Sequence, residues 1–212
     1  MPSKPQLVLD IAGVLVDNLS VAFWQELSIK SGTSPPELKQ RLHEIRHDLW
    51  TGRMKEPQFW EWLSALYPSM KKDDGYELLS RTMNMLPAVQ SLERWSGIAD
   101  IHLLSNHCQE WLAPLLDKIE TYTTSITISN QVGFCKPQPE IYEIVERFMP
   151  HRDRMVYVDD QEKNFAPART LGWITLLADE QHKWVGQVES ILFGVEGSAF
   201  LEEARKLRDE NT

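Results

Sequence analysis

Cysteine is nearly absent from this chain: Cys108 and Cys135 are the only two among 212 residues. That excludes a disulfide scaffold and sets the expectation of a reduced, cytoplasmic setting. Long apolar runs are missing as well. Leu7-Val8-Leu9, following Met1-Pro2-Ser3-Lys4-Pro5, is too short for a secretory signal or a membrane span, so no membrane partner is expected. Positive charge is in deficit, with 22 Lys and Arg against 31 Asp and Glu and a net charge of −9. No basic stripe stands out, so nucleic acid is not an expected partner, because neutralising its phosphates takes clustered Lys and Arg. Glycine and proline, at 10 and 12, are too few for a collagen-like or low-complexity chain. What remains is the profile of one globular domain plus a small insert, 42% hydrophobic and 25% charged. An acidic protein of this kind that handles phosphates needs a local positive pocket, and a metal with it.

The apolar pattern divides the chain. Gln6–Leu9 reads as a strand ending at Asp10, with Gly13 just beyond. From about Asn18 the spacing turns helical: Phe23, Leu27 and Ile29, then a breaker at 31–36, then Leu38, Leu42 and Ile45 along a helix over Glu37–Leu49. A third helix starts near Lys55-Glu56-Pro57 and carries Phe59, Trp60, Leu63 and Leu66, and a fourth is expected over Asp73–Leu86. After Pro87, strands and helices alternate. Ile98–Leu104, Ser125–Ile128, Met155–Val158 and Trp173–Leu177 read as strands, and Gln109–Ile119, Glu140–Phe148 and Asn164–Leu171 as helices. This alternation predicts a mostly parallel sheet covered on both faces. The tail Ser198–Thr212 reads as a charged helix without visible chemistry.

Ligands of open parallel sheets bind at the carboxyl ends of the strands. Three predicted strands end there in polar groups: Asp10, then Ser105-Asn106, then Asp159-Asp160, with Lys136 in a loop before a helix. Taken singly, each is an ordinary loop or capping residue. Together, in this order, they make a carboxylate nucleophile, a hydroxyl and amide pair, a cation and two further carboxylates. That set suits magnesium-dependent phosphoryl transfer, since carboxylates hold a hard cation while Lys and Ser bind phosphate oxygens.

The segments Asp10-Ile11-Ala12-Gly13-Val14, Leu103-Leu104-Ser105-Asn106, Lys136-Pro137-Gln138-Pro139-Glu140-Ile141-Tyr142 and Val158-Asp159-Asp160 with Asn164 resemble the four motifs of the haloacid dehalogenase (HAD) superfamily, in order and spacing. The resemblance spans roughly residues 6–180. It implies an α/β fold: a Rossmann-like parallel-sheet core over 1–17 and 87–212, and an inserted α-helical C1 cap over 18–86, hinged near Asp17-Asn18 and Leu86-Pro87. Within the insert, Trp50-Thr51-Gly52-Arg53-Met54 with Phe59-Trp60 is similar to caps of bacterial sugar-phosphate phosphatases, including those acting on α-glucose 1-phosphate. The implied activity is hydrolysis of a small phosphorylated metabolite by a monomer or homodimer. The implied roles are Asp10 as nucleophile; Ser105, Asn106 and Lys136 at the phosphate, with Asn106 also setting the loop; and Asp10, the Ala12 carbonyl, Asp159 and, less directly, Asp160 around Mg²⁺. Asn164 would orient the acidic loop, and Gly172 would stop the helix that carries Arg169.

One departure matters. The family's phosphatases usually carry a second Asp two residues after the nucleophile as general acid and base, and here that place holds Ala12. General acid–base help is typically worth ~10²–10⁴ in rate. Three readings follow: an active phosphatase that moves the proton by another group, a weak or non-catalytic member that binds a phosphorylated ligand, or a substitution that stalls turnover. Phosphonoacetaldehyde hydrolase also has Ala at this motif, but it needs a cap Lys, for which Lys55 is the nearest candidate. Paired Asp159 and Asp160 argue against a metal-free dehalogenase. His107, next to Asn106, and His47 in the insert are the substitute proton carriers weighed, with His107 preferred. Trp24 and Trp50 are expected to line the substrate pocket, Trp60 and Cys135 to be structural.

Overall fold

The computed structural model describes residues 3–17, 19–151 and 154–193. The tail helix expected over Ser198–Thr212 lies outside them. In chain order the elements are β1 (Gln6–Leu9), α1 (Val21–Ser31), α2 (Pro35–Trp50), α3 (Glu56–Leu66), α4 (Lys72–Thr82), α5 (Leu92–Ile98) and β2 (Asp100–Ser105). Then come α6 (Gln109–Ile119), β3 (Ser125–Ile128), α7 (Ser129–Val132), α8 (Pro139–Glu146), β4 (Met155–Asp159), α9 (Phe165–Thr170), β5 (Ile174–Leu177) and α10 (Trp184–Phe193).

The five strands form one sheet in the order β3-β2-β1-β4-β5, and all pairings are parallel. β1 is central and its four residues are buried on both faces. Leu7 and Leu9 face a cluster with Trp95, Leu112 and Trp184 from α5, α6 and α10. Val8, on the opposite face, packs with Tyr142, Tyr157 and Trp173 from α8, β4 and the approach to β5. This two-residue alternation between helix layers is what a doubly covered sheet demands. Each such fully buried side chain contributes about 1.5–3 kcal/mol.

Among the described residues between 21 and 82, regular structure is entirely helical. Phe23, Leu38, Leu49, Phe59, Trp60 and Leu63 share a core that also takes in Cys108 and Trp111 beside and on α6. The helical layer is thus seated on α6, and Trp60 is core as its spacing implied. Its two connections to the sheet run side by side. Val16 bridges Met85, the Asp17 amide donates to the Asn84 carbonyl at 3.0 Å, and the Leu86 amide donates to the Leu15 carbonyl at 2.8 Å.

Several element ends differ from expectation, most by a residue or two, and two of the differences have a clear cause. α4 stops at Thr82 rather than Leu86, because residues 83–86 leave the helix to pair with the chain near Val16. Ile98 closes α5 instead of opening β2. In both places an apolar run crosses from a helix's buried face into an extended segment, so burial alone does not mark the boundary.

Candidate active site

Register brings the polar residues together. β1 lies between β2 and β4 with Leu9 opposite Leu103 and Val158, so Asp10, Ser105 and Asp159 emerge at the same edge of three adjacent strands. Asp10 and Asp159 are 3% and 0% exposed. Lys136, from the loop before α8, is just as deeply buried, with its Nζ 2.8 Å from Asp10 Oδ2 and 2.6 Å from Asp159 Oδ2. Its amine also donates to the Leu104 carbonyl at 3.2 Å. The loop is clamped by Asn106: the Asn106 Nδ2 donates to the Lys136 carbonyl at 2.9 Å, and the Lys136 amide donates to Asn106 Oδ1 at 2.7 Å. Both ends of that amide are therefore committed to the loop, which makes Asn106 a positioning residue rather than a phosphate ligand in this state.

Asp159 is held from several sides. Asn164 Nδ2 donates to both carboxylate oxygens at 2.9 Å, the Gln161 amide donates to Oδ1 at 2.7 Å, and the Tyr157 hydroxyl donates to Oδ2. Asp160 is only half-buried and takes one weak bond, from Gln161 Nε2 at 3.3 Å. Gly13 explains its approach. With φ +87° the residue sits in the left-handed region, and a Cβ there would run into the Asp160 carboxylate.

The electrostatics follow. Burial pushes the Asp10 carboxyl up to about 7, with Asp159 and Asp160 adding to the rise and Lys136 opposing it. Burial likewise raises Asp160, helped by the charge of Asp159. Asp159 stays below the ordinary carboxylate value: burial opposes ionisation, but Lys136 and the donors around it win. Lys136 is raised because Asp10 and Asp159 outweigh its own burial. Carboxylate oxygens of Asp10, Asp159 and Asp160 come within 4.8 Å of one another, so a hard cation fits this donor set and would relieve their mutual repulsion.

A cavity of about 680 Å³ opens onto the site. Asp10, Ala12, Asn106 and Lys136 line it, as do Trp24, Trp50 and His47 from the helical layer. Ser105 does not: it is wholly buried and its hydroxyl has no hydrogen-bond partner. One expectation is corrected here, the choice of His107 as the preferred proton carrier. His107 is 2% exposed, stacked on Trp50 at 5.2 Å between ring centres, and absent from the cavity wall. Burial lowers its pKa to about 4, so it stays neutral and enclosed rather than serving as proton carrier. Lys55 is exposed at the start of α3, away from the cavity, and offers no amine for a Schiff base. Burial raises the Cys135 thiol, so Lys136 does not activate it. Arg169 is exposed and donates to Thr175 Oγ1 at 2.9 Å, and Gly172 at φ +78° lies just past the end of α9. What sequence reasoning missed is the rest of the wall: Lys39, His43, Arg46 and Lys163.

Set beside known proteins, this geometry has clear counterparts. No family model matches the chain. A HAD-like family hydrolase from Porphyromonas gingivalis superposes with a TM-score of 0.73 and 19% identity, covering 89% of this chain and 98% of that one. The HAD family enzyme bt-2542 of Bacteroides thetaiotaomicron, in complex with magnesium and inorganic phosphate, superposes with a TM-score of 0.74 and 19% identity over 86% of this chain and 98% of its own. This chain therefore has the HAD-like hydrolase fold: a Rossmann-type parallel sheet with flanking helices. Among curated proteins, rat bifunctional epoxide hydrolase 2 is 28% identical over 81 residues, which is 38% of this chain. That match spans only 15% of the length of the rat protein. No helix among the described residues is long and apolar enough to cross a membrane.

Proposed function

We propose that this protein is a Mg²⁺-dependent phosphatase that hydrolyses a small phosphorylated metabolite through an aspartyl phosphate on Asp10. The observation that carries the reading is the Asp10–Lys136–Asp159 cluster at the strand ends, beside Asp160 and open to the cavity. In this scheme residues 1–17 and 87–212 form the core and 18–86 the cap, whose closure excludes water and selects the substrate.

Asp10 and Asp160, with the Ala12 carbonyl, are the groups we assign to hold the metal. Asp159 is better occupied in fixing Lys136, because its oxygens already accept from Lys136, Tyr157, Asn164 and Gln161. When bound, Mg²⁺ supplies positive charge between the anionic nucleophile and the phosphoryl oxygens. Lys136 adds a fixed, water-excluded cation at the same place. The buried, unpaired Ser105 hydroxyl is a donor in reserve for a phosphoryl oxygen. Asp10 attacks phosphorus, the alkoxide leaves, and water then releases the phosphate. Ala12 carries no proton for either step. His47 lines the cavity and is the imidazole we assign to protonate the leaving group. Trp24 and Trp50 supply apolar walls for the carbon skeleton, a sugar in the reading that the Trp50–Phe59 segment favours. A cytoplasmic home fits two free, buried cysteines.

The test is phosphate release, read by malachite green across a panel of phosphorylated metabolites with and without Mg²⁺. Turnover of at least one compound, dependent on Mg²⁺ and abolished in Asp10→Asn, supports the proposal. A panel in which no compound exceeds the Asp10→Asn control overturns it, and leaves a protein that binds phosphorylated ligands without hydrolysing them.

A further inference from the structure

The charge of the cavity wall is opposite to that of the protein. The chain carries a net −9, yet the cavity is lined by Lys39, Arg46, Lys136 and Lys163 and by two histidines, with Asp10 its one carboxylate among the described residues. Lys136 is consumed by Asp10 and Asp159. Among the described residues, Lys39, Arg46 and Lys163 make no ion pair. On α2 two of the three acidic side chains are paired elsewhere, Glu44 with Arg41 at 3.6 Å and Asp48 with Arg53 at 3.5 Å, and Glu37 lies in the first turn. Lys39 touches only the face of Trp24, with its Nζ 5.5 Å from the ring centre.

The spacing is that of one helical face. Lys39, His43, Arg46 and His47 fall at i, i+4, i+7 and i+8, beside the apolar stripe of Leu38, Ile45 and Leu49 that anchors α2. At 1.5 Å per residue, Lys39 and Arg46 stand about 10 Å apart along the axis. Their backbone anchors are thus spread along the cavity wall. Arg46 is near enough to Cys135, the residue before Lys136, for its charge to bear on that thiol, which places it toward the reacting end. Lys39 marks the far end. Leu42, Trp24 and Trp50 line the same cavity and supply apolar contact for a carbon skeleton.

Charge accounting at the floor points the same way. Asp10, Asp159 and Asp160 against Lys136 and a divalent cation sum to neutrality, so the transferring phosphate brings negative charge that the floor itself does not offset. Arg46 and Lys163 can meet that charge, whereas Lys39 stands at the far end of the cavity, and cations focused in a cleft raise the local concentration of an anion.

We infer that the substrate is bis-anionic, a phosphate ester bearing a second phosphate or a carboxylate at its distal end, which Lys39 of α2 binds while Arg46 serves nearer the reacting end. This rests on the phosphatase reading for the reacting end, and it replaces a neutral sugar ring with an acidic one as the preferred skeleton.

Binding is measured by calorimetry on the Mg²⁺-loaded Asp10→Asn protein, with fructose 6-phosphate, fructose 1,6-bisphosphate and 6-phosphogluconate as probes. At least one bis-anionic probe is expected to bind about tenfold more tightly than fructose 6-phosphate, the value of one charge-assisted contact. Which one does so tells a second phosphate from a carboxylate. Lys39→Ala with Arg46→Ala should remove that preference, whereas Arg41→Ala, an α2 cation off the cavity wall, should keep it. In the active protein the same pair should raise KM for the preferred probe more than it lowers kcat. Equal affinity for all three probes, or a preference that survives the double substitution, overturns the inference. If monophosphates are hydrolysed and show no such preference, the phosphatase reading stands alone. If nothing is hydrolysed but the α2-dependent preference is present, the ligand class stands and the turnover reading falls.

Discussion

Replacing Lys136 with Met removes a cation while keeping most of the side-chain volume. In the folded protein its Nζ lies 2.8 Å from Asp10 and 2.6 Å from Asp159, and all three groups are buried. Without it, two carboxylates face each other in a site that excludes water, and breaking a buried pair in this way costs about 3–5 kcal/mol. A second route to the magnitude agrees. The least costly escape is for Asp10 to take up a proton, since burial and its neighbours already hold it up at about 7. Protonating a carboxyl of ordinary pKa near 3.9 at pH 7 costs at most about 4 kcal/mol at 1.36 kcal/mol per unit. Because Asp10 is already partly there, the loss should fall toward the lower end of the range. The assay is urea unfolding at pH 7 in EDTA, comparing midpoints at constant slope. Millimolar Mg²⁺ should restore more stability to Lys136→Met than to the native protein, because the metal replaces the lost cation between the carboxylates. A loss below about 1 kcal/mol, or no extra gain from Mg²⁺, would refute the buried-triad reasoning.

Other outcomes follow from the same geometry. Ala12 lines the cavity, so Ala12→Asp places a carboxyl where related phosphatases keep their acid; phosphate release from poor-leaving-group esters should rise, within the ~10⁴ ceiling for acid–base help, and a clear fall would mean that His47 or the substrate already does the work. Gly13→Ala should weaken Mg²⁺ binding, read by calorimetry, because its Cβ collides with Asp160 at a backbone angle that disfavours any side chain; unchanged affinity would remove Asp160 from the metal site. Burial lowers His102 and His107 to about 4 each. Below the unfolded value of 6.5 the unfolded chain binds more protons, so stability should be full above pH 6.5 and fall progressively from there toward pH 4, by up to about 3 kcal/mol per histidine. Flat urea midpoints over that window would contradict it.

How much could be read beforehand depended on whether the deciding contact was local. β1 and the polar strand ends were legible because short, largely apolar runs stop abruptly at Asp10, Ser105 and Asp159. The helices α1, α2 and α3 announced themselves by spacing, and Pro57 marked where α3 begins, whereas Pro35-Pro36, read as part of a breaker, are the first turn of α2. The end of α4 was not legible, because Met85 leaves the helix to meet Val16, almost seventy positions earlier in the chain. His107 misled for a related reason: its position beside Asn106 suggests access to the site, but stacking on Trp50 takes it into the interior. The division of labour between Asp159 and Asp160 could not be seen either, since it depends on Tyr157 and Asn164 filling the lone pairs of only the first. Lys39 and Arg46 look like the solvated side of an amphipathic helix. Their signal was a charged stripe beside the apolar one, with Glu44 and Asp48 drawn off by Arg41 and Arg53, and only the folded cavity gives that stripe something to face.

The central claim is that Asp10 takes up a phosphoryl group. The direct measurement is mass spectrometry of the Asp10 peptide after acid quench, with protein, Mg²⁺ and the best-hydrolysed member of the metabolite panel mixed for milliseconds to seconds. The account predicts a phosphoryl adduct on Asp10 that appears before free phosphate, decays as phosphate is released, and is absent in EDTA and in Asp10→Asn. Phosphate release at full rate with no adduct at Asp10, or with Asp10→Asn still active, would contradict it.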